Sequence, residues 1–231
     1  MPKTDSQFLG FIQRIVNGDI DEVTRRLKDD PSLATTASDV GATRQNSKRF
    51  FFPAIAHYLY AGDTALHMAA AAHQPSIAKL LVKHGASPRA KNRRGAQPLH
   101  YAADGSHIDP KAQAQTIQFV ISTGADPNAL DSSGVAPLHR AVRNRSYSAV
   151  KALLDGGTNV RLPNKSGSTP SHLAVQTTGK SGSGSPQARE AQKRIIQILL
   201  ERGARPMDKD GRGRSVQQAA TSQWVKALLQ S

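Results

Sequence analysis

One short phrase returns four times along this chain of 231 residues, and no other feature restricts the possible folds as strongly. It stands at 64–70 (TALHMAA), 97–103 (QPLHYAA), 136–142 (APLHRAV) and 169–175 (TPSHLAV). Its histidines, His67, His100, His139 and His172, are spaced by 33, 39 and 33 residues. A second apolar segment follows each phrase and ends in a glycine, at Gly85, Gly124, Gly157 and Gly203, with spacings of 39, 33 and 46.

Each unit can be read from its chemistry. Pro98, Pro137 and Pro170 suit a first helical position, where a missing N–H costs nothing and φ is already helical. Leu66, Ala69 and Ala70 lie at i, i+3 and i+4, as do Leu99, Ala102, Ala103 and Leu138, Ala141, Val142, so each short helix has one apolar face. Alanine on that face lets neighbouring helices approach closely. The glycine after the second helix fits the left-handed position that ends a helix. Segments 92–95 (NRRG), 131–134 (DSSG) and 164–167 (NKSG) supply turn chemistry at a fixed offset. A helix pair this short cannot bury its apolar face alone, so the units are expected to stack into an all-α solenoid.

The pattern resembles the ankyrin-repeat family, in its Thr-Pro-Leu-His-x-Ala helix, its Val-x-x-Leu-Leu second helix and its Gly-Ala-x-Pro/Val-Asn-x hairpin. The resemblance is strong over about 63–213, with repeats at 63–95, 96–134, 135–167 and 168–213. Residues 6–39 look like a polar N-terminal capping repeat and 214–231 like a degenerate C-terminal cap, giving about six repeats in one domain over 1–231. In the C-terminal cap, Gln218 stands near the histidine place, and Trp224 is expected to pack over the last repeat. The block from Tyr60 onward, with the Gly/Ser segment at 179–185, resembles a subgroup of bacterial ankyrin proteins of unassigned function. The resemblance implies that the four histidines tie the hairpin loops together. It also implies that the hairpin tips and first helices line a concave binding side.

Three insertions break the period. His67 to Gly85 and His139 to Gly157 each span 18 residues, but His100 to Gly124 spans 24 and His172 to Gly203 spans 31. The extra residues are expected between the two helices of their repeats, in exposed loops. The third insertion, 40–62, holds Phe50, Phe51, Phe52, Tyr58 and Tyr60, five of the ten Phe and Tyr residues. So many rings are costly to solvate. They either fold back onto the first two repeats, the favoured reading, or anchor a partner.

Candidate chemistry is sparse. The stretch 174–181 (AVQTTGKS) satisfies a loose phosphate-loop pattern, but it lies on a repeat helix with no preceding strand, so a flexible loop is expected instead. His57, His73, His84 and His107 show no i, i+4 pairing, and the chain has no cysteine, so neither a metal nor another cofactor is expected, and no enzymatic activity. There is no apolar run of about twenty residues and no signal-peptide pattern at the start, which points to a cytoplasmic protein.

Charge is the remaining signal. The formal charge is +14, with net −2 over residues 1–39 and net +16 over 40–231. A basic body favours acidic partners. The first full tip carries Arg89, Lys91, Arg93 and Arg94 with no acid, the second reverses sign with Asp126 and Asp131, and the third carries Arg161 and Lys165. The fourth mixes Arg205, Lys209, Arg212 and Arg214 with Asp208 and Asp210. Tyr101, Asp104, Arg140, Arg143 and Arg145 are expected on the helical side of the groove. A phosphate backbone favours a continuous basic track, so this alternation favours a monomeric scaffold that binds a protein with an acidic surface. Electrostatic binding of nucleic acid is the second reading.

Overall fold

The computed structural model describes residues 3–105, 109–177 and 184–230. Twelve α-helices in these residues fall into six successive pairs. They are α1 (Lys3–Val16) with α2 (Ile20–Asp29), α3 (Ala65–Ala71) with α4 (Pro75–Lys83), and α5 (Pro98–Ala103) with α6 (Pro110–Ser122). Then follow α7 (Pro137–Arg143) with α8 (Tyr147–Asp155), α9 (Pro170–Ala174) with α10 (Pro186–Glu201), and α11 (Val216–Ala219) with α12 (Gln223–Leu228). The first helices pack in chain order, α1 on α3, then α5, α7, α9 and α11, and the second helices α2, α4, α6, α8 and α10 form a parallel layer. The fold is an all-α solenoid of helix-turn-helix units.

The repeat chemistry explains the packing. Leu66, Leu99 and Leu138 are fully buried, and so are Ala69, Ala70, Ala102, Ala103 and Ala141, which let adjacent first helices close on one another. Pro98, Pro137 and Pro170 begin their helices, as does Pro75 in a second helix. Gly85, Gly124, Gly157 and Gly203 all have φ between 88° and 102°, the left-handed conformation that turns the chain from the second helix toward the tip.

Two of the insertions correct the sequence expectation. Their extra residues do not all form loops: α6 has 13 residues and α10 has 16, against 9 in both α4 and α8. The second helix therefore gains about one turn in one repeat and two in the other. Asp109 and Ser185 cap these longer helices, and Pro110 and Pro186 start them. Buried glutamines then tie them back to the first-helix layer. Gln113 Nε2 donates to Ala102 O (3.1 Å), and Gln192 Nε2 donates to Ala174 O (2.7 Å) and Gln176 O (2.9 Å). His107, Lys180 and most of the 179–185 segment lie outside the described residues.

The third insertion folds back on the repeats. A helical turn at Ser47–Phe50 leads into β1 (Phe51–Phe52), which pairs antiparallel with β2 (His57–Tyr58). Phe50, Phe52 and Leu59 are buried in the same core as the repeat helices, while Phe51 remains exposed beside Tyr58. At the other end of the chain, Trp224 packs half-buried against the core. No helix of the described residues is long and apolar enough to cross a membrane.

Candidate functional site

The tips are built by one residue each. Asn92, Asp131, Asn164 and Asp210 occupy the first tip position, and each Oδ1 accepts two backbone N–H groups. Those donors are Arg94 and Ala96, Ser133 and Val135, Ser166 and Ser168, and Arg212 and Arg214, all at 2.9–3.1 Å. A short polar side chain thus closes its own turn. Tips also bond to one another, through Arg93 N to Ala61 O, Ser132 N to Arg94 O and Gly211 N to Ser166 O.

The repeat histidines join each helix start to the following tip. Nδ1 of His67, His100, His139 and His172 accepts the N–H of residue 64, 97, 136 or 169, at 3.1–3.3 Å. With Nδ1 an acceptor, Nε2 carries the proton and donates to Ala96 O, Val135 O, Ser168 O and Arg214 O, at 3.0–3.2 Å. Burial disfavours the charged imidazolium, so the His67 and His139 pKa values lie below the ordinary value and that of His100 falls to about 4. In the last pair Gln218 Oε1 accepts from Ser215 N at 2.8 Å, reproducing only the first half of this arrangement.

The residue after each histidine, Met68, Tyr101, Arg140 or Leu173, faces the groove between first helices and tips. Along that row burial falls away: Met68 and Tyr101 are 0% and 2% exposed, while Arg140 and Leu173 are partly open. At Tyr101 the insertion is the reason. The His57 ring lies over Tyr101, and Ala54 and Ile55 reach the same cavity as Ala71 and Ala72. Beneath it sits a buried polar core, in which Asp63 Oδ2 accepts from Tyr101 OH (2.9 Å) and from Tyr60 N (2.6 Å). Asn92 Nδ2 donates to Asp63 Oδ1 at 2.8 Å. Burial and the Asp63 carboxylate push the Tyr101 phenol well above its ordinary pKa.

This arrangement corrects several expected groove contacts. Tyr101 is not an exposed contact residue but part of that buried core. Arg140 is not an open cation: Nη1 donates to Asp104 Oδ2 (2.6 Å) and Nη2 to Asp131 Oδ2 (2.7 Å), and only 15% of its side chain is exposed. Burial works against both carboxylates, but His57 and Arg140 outweigh it at Asp104, and Arg140 with tip N–H groups outweighs it at Asp131, so both stay below the usual range. Arg145, with φ 55° at a helix–helix turn, donates from Nη2 to Gln176 O, and Arg161 pairs with Asp208 of the last tip at 2.6 Å. Arg89 Nε donates to Gly124 O.

The acids behind the apparent sign alternation are mostly internal. Asp131 and Asp210 close their own tips, and Asp208 is taken by Arg161, leaving Asp126 exposed. Their equivalence to Asn92 and Asn164 is the signal that identifies Asp131 and Asp210 as turn builders. Of the expected contacts, Lys91, Arg93, Arg94, Arg143 and Lys165 stand exposed with no carboxylate partner among the described residues. Arg93 and Arg94 are brought together over the ring of Tyr60, at 5.6 and 4.9 Å, whereas Arg143 and Lys165 stand on later repeats. No group of three His, Asp or Glu that could hold a metal occurs among the described residues.

Comparison with known proteins agrees with this architecture. Two zebrafish (Danio rerio) proteins, Notch-regulated ankyrin repeat-containing proteins A and B, are each 48% identical to this chain over 48 residues. The match spans 21% of this chain and 43% of either relative, so less than half of each relative is covered. Both are vertebrate proteins and lend nothing to the expected bacterial resemblance. A family profile described as ankyrin repeats (3 copies) matches residues 37–109 and 111–210, well over half of the sequence. This chain belongs to the ankyrin-repeat family, whose repeats generally serve as protein–protein interaction modules.

Proposed function

We propose that this protein is a non-catalytic, monomeric cytoplasmic scaffold that binds a protein partner with an acidic surface, on the side framed by the tips and the first helices. The observation that carries the reading is the set of exposed cations there, Lys91, Arg93, Arg94, Arg143 and Lys165, with no carboxylate partner among the described residues, in an array whose buried acids are already spoken for. Such exposed charges steer an oppositely charged partner and fix its register. Because the insertion covers the groove over α3 and α5, the contact surface consists of the first tip and the groove from α7 onward.

The second reading, electrostatic nucleic-acid binding, gains from the internal position of Asp131 and Asp210, which removes much of the expected sign reversal. It is weakened by the second tip, where Ser132 and Ser133 present no charge between the cations of the first and third tips. Capture experiments separate the two. The expected result is a defined set of proteins that survives nuclease treatment and is lost on combined reversal of Arg93, Arg94 and Arg143 to Glu. Material that disappears with nuclease, with affinity falling about 10³- to 10⁵-fold between roughly 50 and 200 mM salt, would establish the second reading.

A further inference from the structure

Beside the first full tip, the insertion and the repeat array enclose an open cleft of about 450 Å³, lined by Thr43, Arg44, Ser47, Tyr58, Tyr60, Arg93 and Arg94 together with Ala42. Six of its eight lining residues come from the insertion, which the repeat pattern does not require. Its polar lining consists of guanidinium, hydroxyl and phenol groups, and no carboxylate.

The cleft is built rather than incidental. Its floor, Tyr60, is held by the backbone N–H bond to the buried Asp63, which also binds the tip residue Asn92. Gly62 (φ 84°) brings the end of the insertion against the tip, because a Cβ there would stand 2.8 Å from Asn92 Cα. On the opposite wall Asn46 Oδ1 accepts both the N–H and the hydroxyl of Thr43, at 2.7 Å each. Arg93 donates to Ala42 O, and both Arg93 and Arg94 lie over the single ring of Tyr60. Two like charges are thus concentrated on one ring. A guanidinium that lies over a ring directs its N–H edge outward, where carboxylates are bound in pairs of parallel hydrogen bonds.

We propose that this cleft binds an acidic peptide segment of a protein partner, its carboxylates on the edges of Arg93, Arg94 and Arg44 and its side-chain stems on Tyr58 and Tyr60. The inference rests on the reading of the chain as a protein-binding module and assigns that module's anchoring site. Charge complementarity selects the occupant, since three cations without an acid face one opening. A nucleic-acid strand would need cations to continue along the tips, and the neighbouring Ser132 and Ser133 break that line.

The test is fluorescence anisotropy of the full chain with a labelled short polyglutamate peptide. Reversal of Arg93 and Arg94 to Glu is expected to weaken binding by about tenfold or more, whereas Lys79→Glu with Lys83→Glu, on α4, changes net charge equally and should weaken it less than about twofold. Arg44→Glu with Arg94→Glu leaves the Arg93 bond to Ala42 in place and gives the same loss if the first variant fails to fold. Equal loss from the cleft and α4 variants, or no binding by the unmodified protein, would overturn the cleft assignment while leaving the scaffold reading standing. Preference for a uridine oligonucleotide over polyglutamate, lost in the cleft variants, would overturn both.

Discussion

The ring centroids of His57 and Tyr101 lie 4.4 Å apart, joining the inserted hairpin to the first helix of the second full repeat. Tyr101 in turn donates its hydroxyl to Asp63, so one side chain carries both the lid contact and the buried carboxylate. Tyr101→Phe keeps the ring and removes the donor, leaving Asp63 short of one bond. The expected cost is about 1–3 kcal/mol in urea unfolding, with faster amide exchange over residues 57–63. An unchanged midpoint would mean that Asp63 does not depend on this bond.

Arg140 and Arg143 stand on the same short helix but should behave oppositely. Removal of the Arg140 guanidinium leaves Asp131 without a cation and Asp104 with only His57, at 3.7 Å, so Arg140→Ala should cost about 3–5 kcal/mol. Arg143→Ala, at an exposed site, should stay within about 0.5 kcal/mol. Loss of partner binding in an Arg140 variant would therefore report folding rather than contact. Thermal unfolding of the two variants side by side decides the matter, and equal midpoints would refute the buried role of Arg140.

The array was legible because its signals are local: proline at a helix start, leucine and alanine on one face, glycine after the second helix. Burial of Tyr101 was not legible in the same way. The position after the histidine faces the groove, and only a segment some forty residues earlier, packed against it, withdraws it from solvent. The aromatic content of 50–60 signalled that this segment must be covered, but not what it covers. The insertion in the second full repeat hides its helix for a related reason. Residues 110–113 (PKAQ) carry helix-start chemistry, with Asp109 as cap, but added length by itself does not separate a longer helix from a loop. The sign of the tips does not follow from a charge count, because the fixed offset that Asp131 and Asp210 share with Asn92 and Asn164 makes them turn builders rather than surface charge.

Acid should unfold this protein through its histidines. His100 has a folded pKa near 4 against about 6.5 in an unfolded chain, so the unfolded state binds the proton first as pH falls. Its contribution is fully present above about pH 6.5 and is lost between there and about pH 4, amounting to an order of 3 kcal/mol. Burial lowers His67, His73 and His139 in the same direction. The unfolding midpoint is expected to drop progressively between about pH 6.5 and 4.5. A flat profile over that range would contradict neutral, buried histidines.

The contrast between His139 and Gln218 yields the most selective test. Both occupy the third position of a first helix and both accept the N–H of the residue just before it, Ala136 or Ser215. Only the histidine has a second ring nitrogen in reach of another tip, and His139 Nε2 spends it on Ser168 O at 3.1 Å. Among the described residues no tip follows the last repeat, and Gln218 makes no second bond of this kind there. His139→Gln should remove one of the two bonds to the part-buried Ser168 carbonyl, which keeps the Asn164 N–H, and cost about 0.5–1.5 kcal/mol, while Gln218→His should shift stability by less than about 0.5 kcal/mol. Chemical denaturation with each single variant is sufficient. If His139→Gln were as harmless as Gln218→His, the tip-to-tip bond would carry no weight, and the array would be held by apolar stacking of Leu138, Ala141 and their neighbours alone.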